Sequence, residues 1–209
     1  MPTDTLTVLV IDNPDPDDRC PTGIADERFV RGDVPMTKSA VRAVTMSKLN
    51  LRSTDVCCDV GCGTGSVTVE MALSAWRGRV YAIDKNPDAV ALTKQNCTAF
   101  HVGNVTALEG DALEMLRTLP ALDAVFIGGS SGQMKELVQT AVEKNPAVRI
   151  VVNAIALETL QSAMDALSAC GLEPEVAQIG SAETKAVGRV HMLTAQNPIF
   201  IISGGGRHV

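Results

Sequence analysis

The sequence predicts an α/β fold with a mostly parallel central sheet and antiparallel strands at its C-terminal end. Three observations predict it. From Asp55 to Gly171, short β-branched runs alternate strictly with helix-length amphipathic segments, a pattern that lays parallel strands between two layers of helices. A glycine-rich turn, Asp59-Val60-Gly61-Cys62-Gly63-Thr64-Gly65, joins the first of these strands to the first of these helices. After Gly171, strand-like runs follow one another with no helix of comparable length between them. Those late strands have to pair antiparallel at one edge or leave the domain to pair with another subunit.

In chain order, residues 6–11 are rich in β-branched side chains and read as a short strand. Residues 13–18, Asn-Pro-Asp-Pro-Asp-Asp, have the composition of a linker. Residues 1–20 therefore form an N-terminal strand and linker, and 21–209 the main domain. Residues 24–30 read as a short helical turn. Thr37 is placed to cap a helix over 38–49, with Val41, Val44, Thr45 and Leu49 inward and Lys38, Arg42 and Lys48 on a wetter face. The alternation then gives a strand over 56–60 and a helix from Ser66. A strand over 79–83 ends at Asp84, and Asn86-Pro87 opens a helix to about Phe100. A strand over 105–108 ends in Glu109-Gly110-Asp111, ahead of a short helix over 112–119. A strand over 122–127 ends in Gly128-Gly129-Ser130-Ser131-Gly132. A helix over 133–144, a strand over 149–152 and a helix over 157–169 complete the alternating part. Residues 174–179, 190–195 and 198–203 read as the late strands.

A chain of 209 residues with 45% hydrophobic content suits one domain that buries a sizeable core. The formal net charge is -6, and no dense Lys/Arg cluster occurs. Nucleic acid is disfavoured as the main partner, because phosphate binding needs clustered cations. The six cysteines (Cys20, Cys57, Cys58, Cys62, Cys97 and Cys170) include no Cys-x-x-Cys pair, and only three histidines accompany them. No metal site is expected. Cys58 and Cys62 begin an iron–sulfur-type Cys-x-x-x-Cys-x-x-Cys pattern, but Gly65 stands at its third place. Free thiols acting as small apolar residues in a reducing cytoplasm account for them. No signal-peptide layout or membrane-length apolar run is present, so a cytoplasmic protein without a membrane partner is expected.

In an open α/β sheet, ligands bind beyond the carboxyl ends of the strands. The first such end is the glycine turn, which brings backbone N–H groups and a helix N-terminus to a nucleotide-like ligand. Its spacing departs from the dinucleotide fingerprint Gly-x-Gly-x-x-Gly/Ala. The third glycine arrives one residue early, and Ser66 holds the fingerprint's last place. Asp59 lies two residues before the first glycine. A bare carboxylate there needs a partner, and an amino-acid ammonium, bridged by the loop or by water, would serve. The second end delivers Asp84, 23 residues after Gly61, which either accepts both ribose hydroxyls of an adenosine or caps the helix at Asn86. The third delivers Asp111 and Ala112. Asp111 either accepts from an adenine amine or caps the next helix, and the Ala112 backbone meets the ring edge. All three ends agree with one bound adenosine.

The acidic Asp/Glu-x-Gly-x-Gly-x-Gly form resembles the S-adenosylmethionine (SAM) loop of Rossmann-like class I methyltransferases. The fourth strand end, 127–132, lacks the Asn/Asp-Pro-Pro-aromatic motif found in many nucleic-acid amino-methyltransferases. It is small and roomy instead, which suits a bulky acceptor. Longer stretches then resemble one family: Gly23-Ile24-Ala25-Asp26-Glu27-Arg28-Phe29, Met36-Thr37-Lys38-Ser39-Ala40-Val41-Arg42, 59–65, 80–87, 109–112, 126–132 and Asn197-Pro198. The chain is similar to the decarboxylating C-15 methyltransferases of precorrin (vitamin B12) synthesis, which act on cobalt-precorrin-6B or precorrin-6Y. That resemblance implies SAM as cofactor, held by Thr37, Gly61, Cys62, Gly63, Thr64, Gly65, Asp84 and Ala112, with Asp111 added from the strand-end reading. Thr37 has its own reading as a helix cap. The family's loop is usually Gly-Gly-Ser-Gly-Gly, so Ser131 here replaces a glycine. The resemblance also implies a tetrapyrrole substrate and a homotetramer. It makes 1–20 resemble the end of a preceding tetrapyrrole-methylase domain.

The substrate carries several carboxylates, so cations should line its mouth. Lys38, Arg42, Lys185 and Arg189 are the candidates, Arg189 foremost. No catalytic acid or base stands out: His101, His191 and His208 read as surface or structural. Other readings are a SAM enzyme acting on RNA adenine or a protein side chain, a nicotinamide oxidoreductase, and a non-catalytic SAM-binding partner subunit.

Overall fold

A computed structural model describes residues 22–206; the expected strand and linker at 1–20 lie outside them. A short 3-10 turn at Asp26–Arg28 precedes α1 (Ser39–Leu49). Strictly alternating units follow: β1 (Val56–Val60), α2 (Ser66–Ser74), β2 (Arg79–Asp84), α3 (Pro87–Ala99), β3 (Val105–Glu109) and α4 (Ala112–Thr118). They continue with β4 (Ala124–Ile127), α5 (Met134–Lys144), β5 (Arg149–Ala154) and α6 (Leu157–Ala169). Four strands end the chain: β6 (Glu175–Ile179), β7 (Ala182–Val187), β8 (Val190–Ala195) and β9 (Ile199–Gly205).

The main sheet runs β3-β2-β1-β4-β5-β9-β6. Its first five strands are parallel. β9 lies antiparallel between β5 and β6, with Val151 opposite Ser203 and Val176 opposite Ile202. Strand order reverses between β1 and β4, and that crevice is where such sheets take ligands.

The period-two pleat sorts the strand side chains into two cores. Val60, Val125, Ile127, Ile150 and Ile202 meet Leu116, Leu137 and Leu167 from α4, α5 and α6. On the other face Cys57, Phe126, Val151 and Ile201 meet Met46 and Leu49 from α1 and Met71 from α2. Both faces of β4 are buried along its whole length, as a central parallel strand requires.

Caps follow the sequence in two of three places. Asn86 accepts from the Asp88 N–H at 3.0 Å, with Pro87 in the first turn of α3. Asp111 accepts from the Leu113 and Glu114 N–H groups and starts α4. Thr37 does not cap α1. The N-cap is Lys38, without a side-chain hydrogen bond, and the Thr37 carbonyl instead accepts from the Arg42 guanidinium. Arg42 is likewise not on a wet face: it is fully buried, because acidic partners and carbonyls surround its head.

The late strands hold one more element than expected. β7 was not foreseen, since Ala182–Val187 carries Glu183 and Lys185 and shows little apolar character. β7 and β8 form a separate two-stranded sheet, exposed along its whole length. The edge pairing occurs for β6 and β9, while β7 and β8 pair with each other apart from the main sheet. Among the described residues, no helix is long and apolar enough to cross a membrane, and no cluster of His, Cys, Asp and Glu is arranged for a metal.

Candidate active site

Two cavities lie side by side over the carboxyl ends of β1, β2, β4 and β5. The first, of about 260 Å³, is lined by Gly61, Cys62, Gly63, Ile83, Asp84, Asp111, Ala112, Phe126 and Gln133, among others. The second, of about 610 Å³, opens between Lys38, the 128–132 loop, Asn153, Ile155, Thr159, Gln196 and Asn197. Pro35, Thr37, Gly128, Gly129 and Ser131 line both.

The glycine loop takes its shape from its neighbours. Gly61 has φ +76°, and a Cβ there would lie 2.8 Å from the Gly129 nitrogen, so the β1 and β4 loops can touch only without a side chain. Gly63 has φ +54°, and its Cβ would lie 2.5 Å from the Pro35 carbonyl oxygen. The segment 35–37 thus rests directly on the loop. Ser131 adopts φ +48°, a left-handed backbone that a residue with a side chain holds at some conformational cost.

Asp84, Asp111 and Gln133 bring side-chain acceptors to the first cavity's lining. Asp84 Oδ2 accepts from the Gly63 N–H at 3.0 Å and Oδ1 from the Asn86 N–H at 2.9 Å. A carboxylate has about four lone-pair sites, so room for two further donors remains. Asp111 Oδ2 accepts from Gln133 Nε2 at 3.1 Å. The Glu114 N–H above all, helped by Gln133, Leu113 and Arg117, holds the Asp111 carboxyl below its ordinary value, against an opposing desolvation. Gln133 Oε1 is buried with no hydrogen-bond partner among the described residues.

Asp59 sits beneath the loop, fully buried. Its Oδ2 accepts from the Thr68 hydroxyl at 2.5 Å, and its Oδ1 has no partner among the described residues. Burial pushes its carboxyl up to about 7, with the Thr68 hydroxyl opposing and the Asp84 charge adding to the rise. Burial likewise raises the Cys62 thiol, which accepts from the Thr93 hydroxyl at 3.2 Å.

A family model described as the precorrin methyltransferase domain matches residues 28–204. The chain belongs to the precorrin methyltransferase family. A relative named probable cobalt-precorrin-6B C(15)-methyltransferase (decarboxylating), from Pyrobaculum calidifontis, is 45% identical over 184 residues, covering 87% of this chain and 94% of its own. The structure named precorrin-6y C5,15-methyltransferase from Geobacter metallireducens superposes with a TM-score of 0.83 at 37% identity, covering 90% of this chain and 97% of its own. The structure named precorrin 8W decarboxylase from Methanobacterium thermoautotrophicum gives 0.83 at 39%, covering 87% and 99%.

As a precorrin methyltransferase, the chain brings Thr37, Gly61, Cys62, Gly63, Asp84, Asp111 and Ala112 onto the first cavity. Thr64 and Gly65 lie behind it. The Thr64 carbonyl accepts from Asn96 at 2.8 Å, and a Cβ on Gly65 would lie 2.8 Å from the Thr93 Cα. Asp84 and Asp111 serve the loop and helix caps while also facing the cavity, so the two readings of each are compatible. Pro35 and Gln133 were missed. Gln133 directly follows the 128–132 loop and was read only as a helix start.

The four candidate cations separate cleanly. Lys38 lines the second cavity, 3.5 Å from Asp26. Arg42 is buried in the interior. Lys185 lies on β7, and Arg189 sits in the turn between β7 and β8. That turn is at the far end of the ladder from Ser181 and Gln196, which line the cavity. Arg189 is therefore not at the mouth.

Proposed function

We propose that this protein is a SAM-dependent C-methyltransferase that methylates C-15 of a precorrin and removes the carboxyl of its C-12 acetate. The observation that carries this reading is the pair of cavities with a shared wall, in a member of this family. One cavity suits an adenosine and the other a bulky acceptor, and both are open at 128–131.

The first cavity fits SAM by its acceptor set. Asp84 has lone pairs left for ribose hydroxyls, Gln133 Oε1 and Asp111 for an amine, and the Ala112 backbone for the adenine edge. Gly61 and Gly63 leave backbone exposed to the methionine part, and Thr37 stands where the two cavities meet. When bound, SAM supplies a methyl group on a sulfonium. The chain's own residues then align and desolvate the acceptor, which is most of what an in-line displacement needs. C-15 of a reduced tetrapyrrole is an electron-rich bridging carbon and needs little base. Loss of the acetate carboxyl as carbon dioxide leaves an electron pair that the conjugated ring takes up. Asn153, Asn197 and Thr159 offer hydrogen bonds to the substrate's carboxylates, and Lys38 offers charge.

Homotetramer formation belongs to this proposal. Val187, Val190 and Met192 share one face of the exposed β7–β8 sheet, and burying that face between subunits is its natural use.

Incubating the purified protein with SAM and a precorrin tests the reading by mass spectrometry. Gain of one methyl together with release of carbon dioxide is expected. Absence of methyl transfer, with SAM bound, would refute it in favour of a binding subunit.

A further inference from the structure

A fully buried arginine is costly unless its donors are all used, and Arg42 uses its donors in an informative way. It lies on α1 with no exposed surface. Its Nε donates to Glu70 Oε1 on α2 at 2.6 Å. The remaining bonds go to the segment that precedes α1: Nη1 to Asp26 Oδ1 at 3.3 Å and to the Thr37 carbonyl, and Nη2 to the Ile24 carbonyl. Glu70 reaches the same segment, accepting from the Gly23 and Ile24 N–H groups at 3.0 and 2.9 Å. The guanidinium plane lies 4.8 Å over the Phe29 ring.

The knot therefore ties residues 23–37 to α2, the helix that starts at the glycine loop. Thr37 is the last point tied, and it lines both cavities. Pro35, two residues earlier, lies against Gly63. Stability alone is a poor account of this arrangement. Buried ion pairs are often replaced by apolar residues at no loss, whereas carbonyl-directed donors at Ile24 and Thr37 fix the path of a backbone.

We propose that Arg42 is a positioning residue: it holds the 35–37 wall between the two cavities and so sets the alignment of acceptor and methyl donor. The alignment part rests on the activity proposed above. The hold on the wall does not.

The test is Arg42→Lys, which keeps the charge but loses the planar fork and the ring stacking. In the folded variant, the backbone order parameters of Met36 and Thr37 should fall while those of α5 and α6 stay as in the wild type. The Kd for SAM should rise about tenfold, the loss of roughly one good contact. The kcat on the precorrin should fall about 100-fold, as a misplacement of about 1 Å produces. A purely structural role predicts a lower Tm with Kd, kcat and backbone order at 36–37 unchanged in the folded protein, and that result would overturn the proposal. If the wild type does not turn over a precorrin, the activity reading fails, and backbone order at 36–37 and SAM affinity decide Arg42 on their own. Should Arg42→Lys not fold, Asp26→Asn removes one orienting charge from Nη1. It should lower backbone order at 36–37 and weaken SAM binding about threefold, and unchanged values there would equally overturn the proposal.

Discussion

Asp84 Oδ2 accepts a hydrogen bond from the Gly63 backbone N–H at 3.0 Å, across the gap between two neighbouring strand ends. One carboxylate therefore both shapes the loop and faces the cavity that the loop encloses. Replacing it by alanine removes charge-assisted bonds worth about 1.5–3 kcal/mol each. Asp84→Ala should raise the Kd for SAM by about 10- to 100-fold, as calorimetry would show. An unchanged Kd would take Asp84 out of the site.

Gly63 offers a test of the loop's seat against the 35–37 segment. Gly63→Ala places a Cβ 2.5 Å from the Pro35 carbonyl oxygen at φ +54°. The clash and the left-handed backbone together should cost about 2–4 kcal/mol, read from denaturant unfolding, and SAM binding should weaken. Gly103→Ala, with nothing within 4 Å of the new Cβ, is the control and should stay within about 0.5 kcal/mol of wild type.

Asp59 makes stability depend on pH in an unusual direction. Its folded carboxyl titrates at about 7, raised by burial from the ordinary 3.8. Between those values the folded state holds a proton that the unfolded chain has lost. This contribution is complete below about pH 4, declines as pH rises, and is gone above about 7. The span corresponds to roughly 4 kcal/mol. Asp59→Asn keeps an acceptor for the Thr68 hydroxyl and has no charge to bury. Its Tm relative to wild type should climb from pH 4 to 7 and then level off. A difference independent of pH would mean that Asp59 is ionised throughout.

Val190 and Met192 are 59% and 55% exposed on one face of the β7–β8 sheet. Changing both to serine should lower the assembled mass seen by light scattering and leave the monomer's far-ultraviolet spectrum intact. A wild type that is already monomeric would remove the assembly role from this face.

Much of the fold was legible because hydrophobic period and glycine placement are local signals. β1 through α6 followed from alternation, and Asn86 and Asp111 from cap chemistry. The signals that failed were those whose meaning is set by distant partners. Arg42 has the look of a surface helix charge until Glu70, 28 residues on, is folded against it. β7 has no buried face to give it a pattern. At the candidate site, the place of Asp84, Asp111 and Ala112 on one cavity was readable from their strand-end spacing. Pro35 and Gln133 were not, because nothing in their local sequence says which loop they meet. Thr64 and Gly65 belong to the motif, but they face α3, where Asn96 and Thr93 wait.

The insertion of β9 between β5 and β6 has a consequence for how the chain is made. Among the described residues β9 is the sole sheet partner of β6, so that pairing waits until Ile199–Gly205 has left the ribosome. The first cavity can close once α5 and β5 are synthesised, but the second must wait, since Gln196, Asn197 and Ile199 form part of its wall. A nascent chain stopped before Ile199 would hold a finished glycine loop beside an open sheet edge, with β5 unpaired on one side.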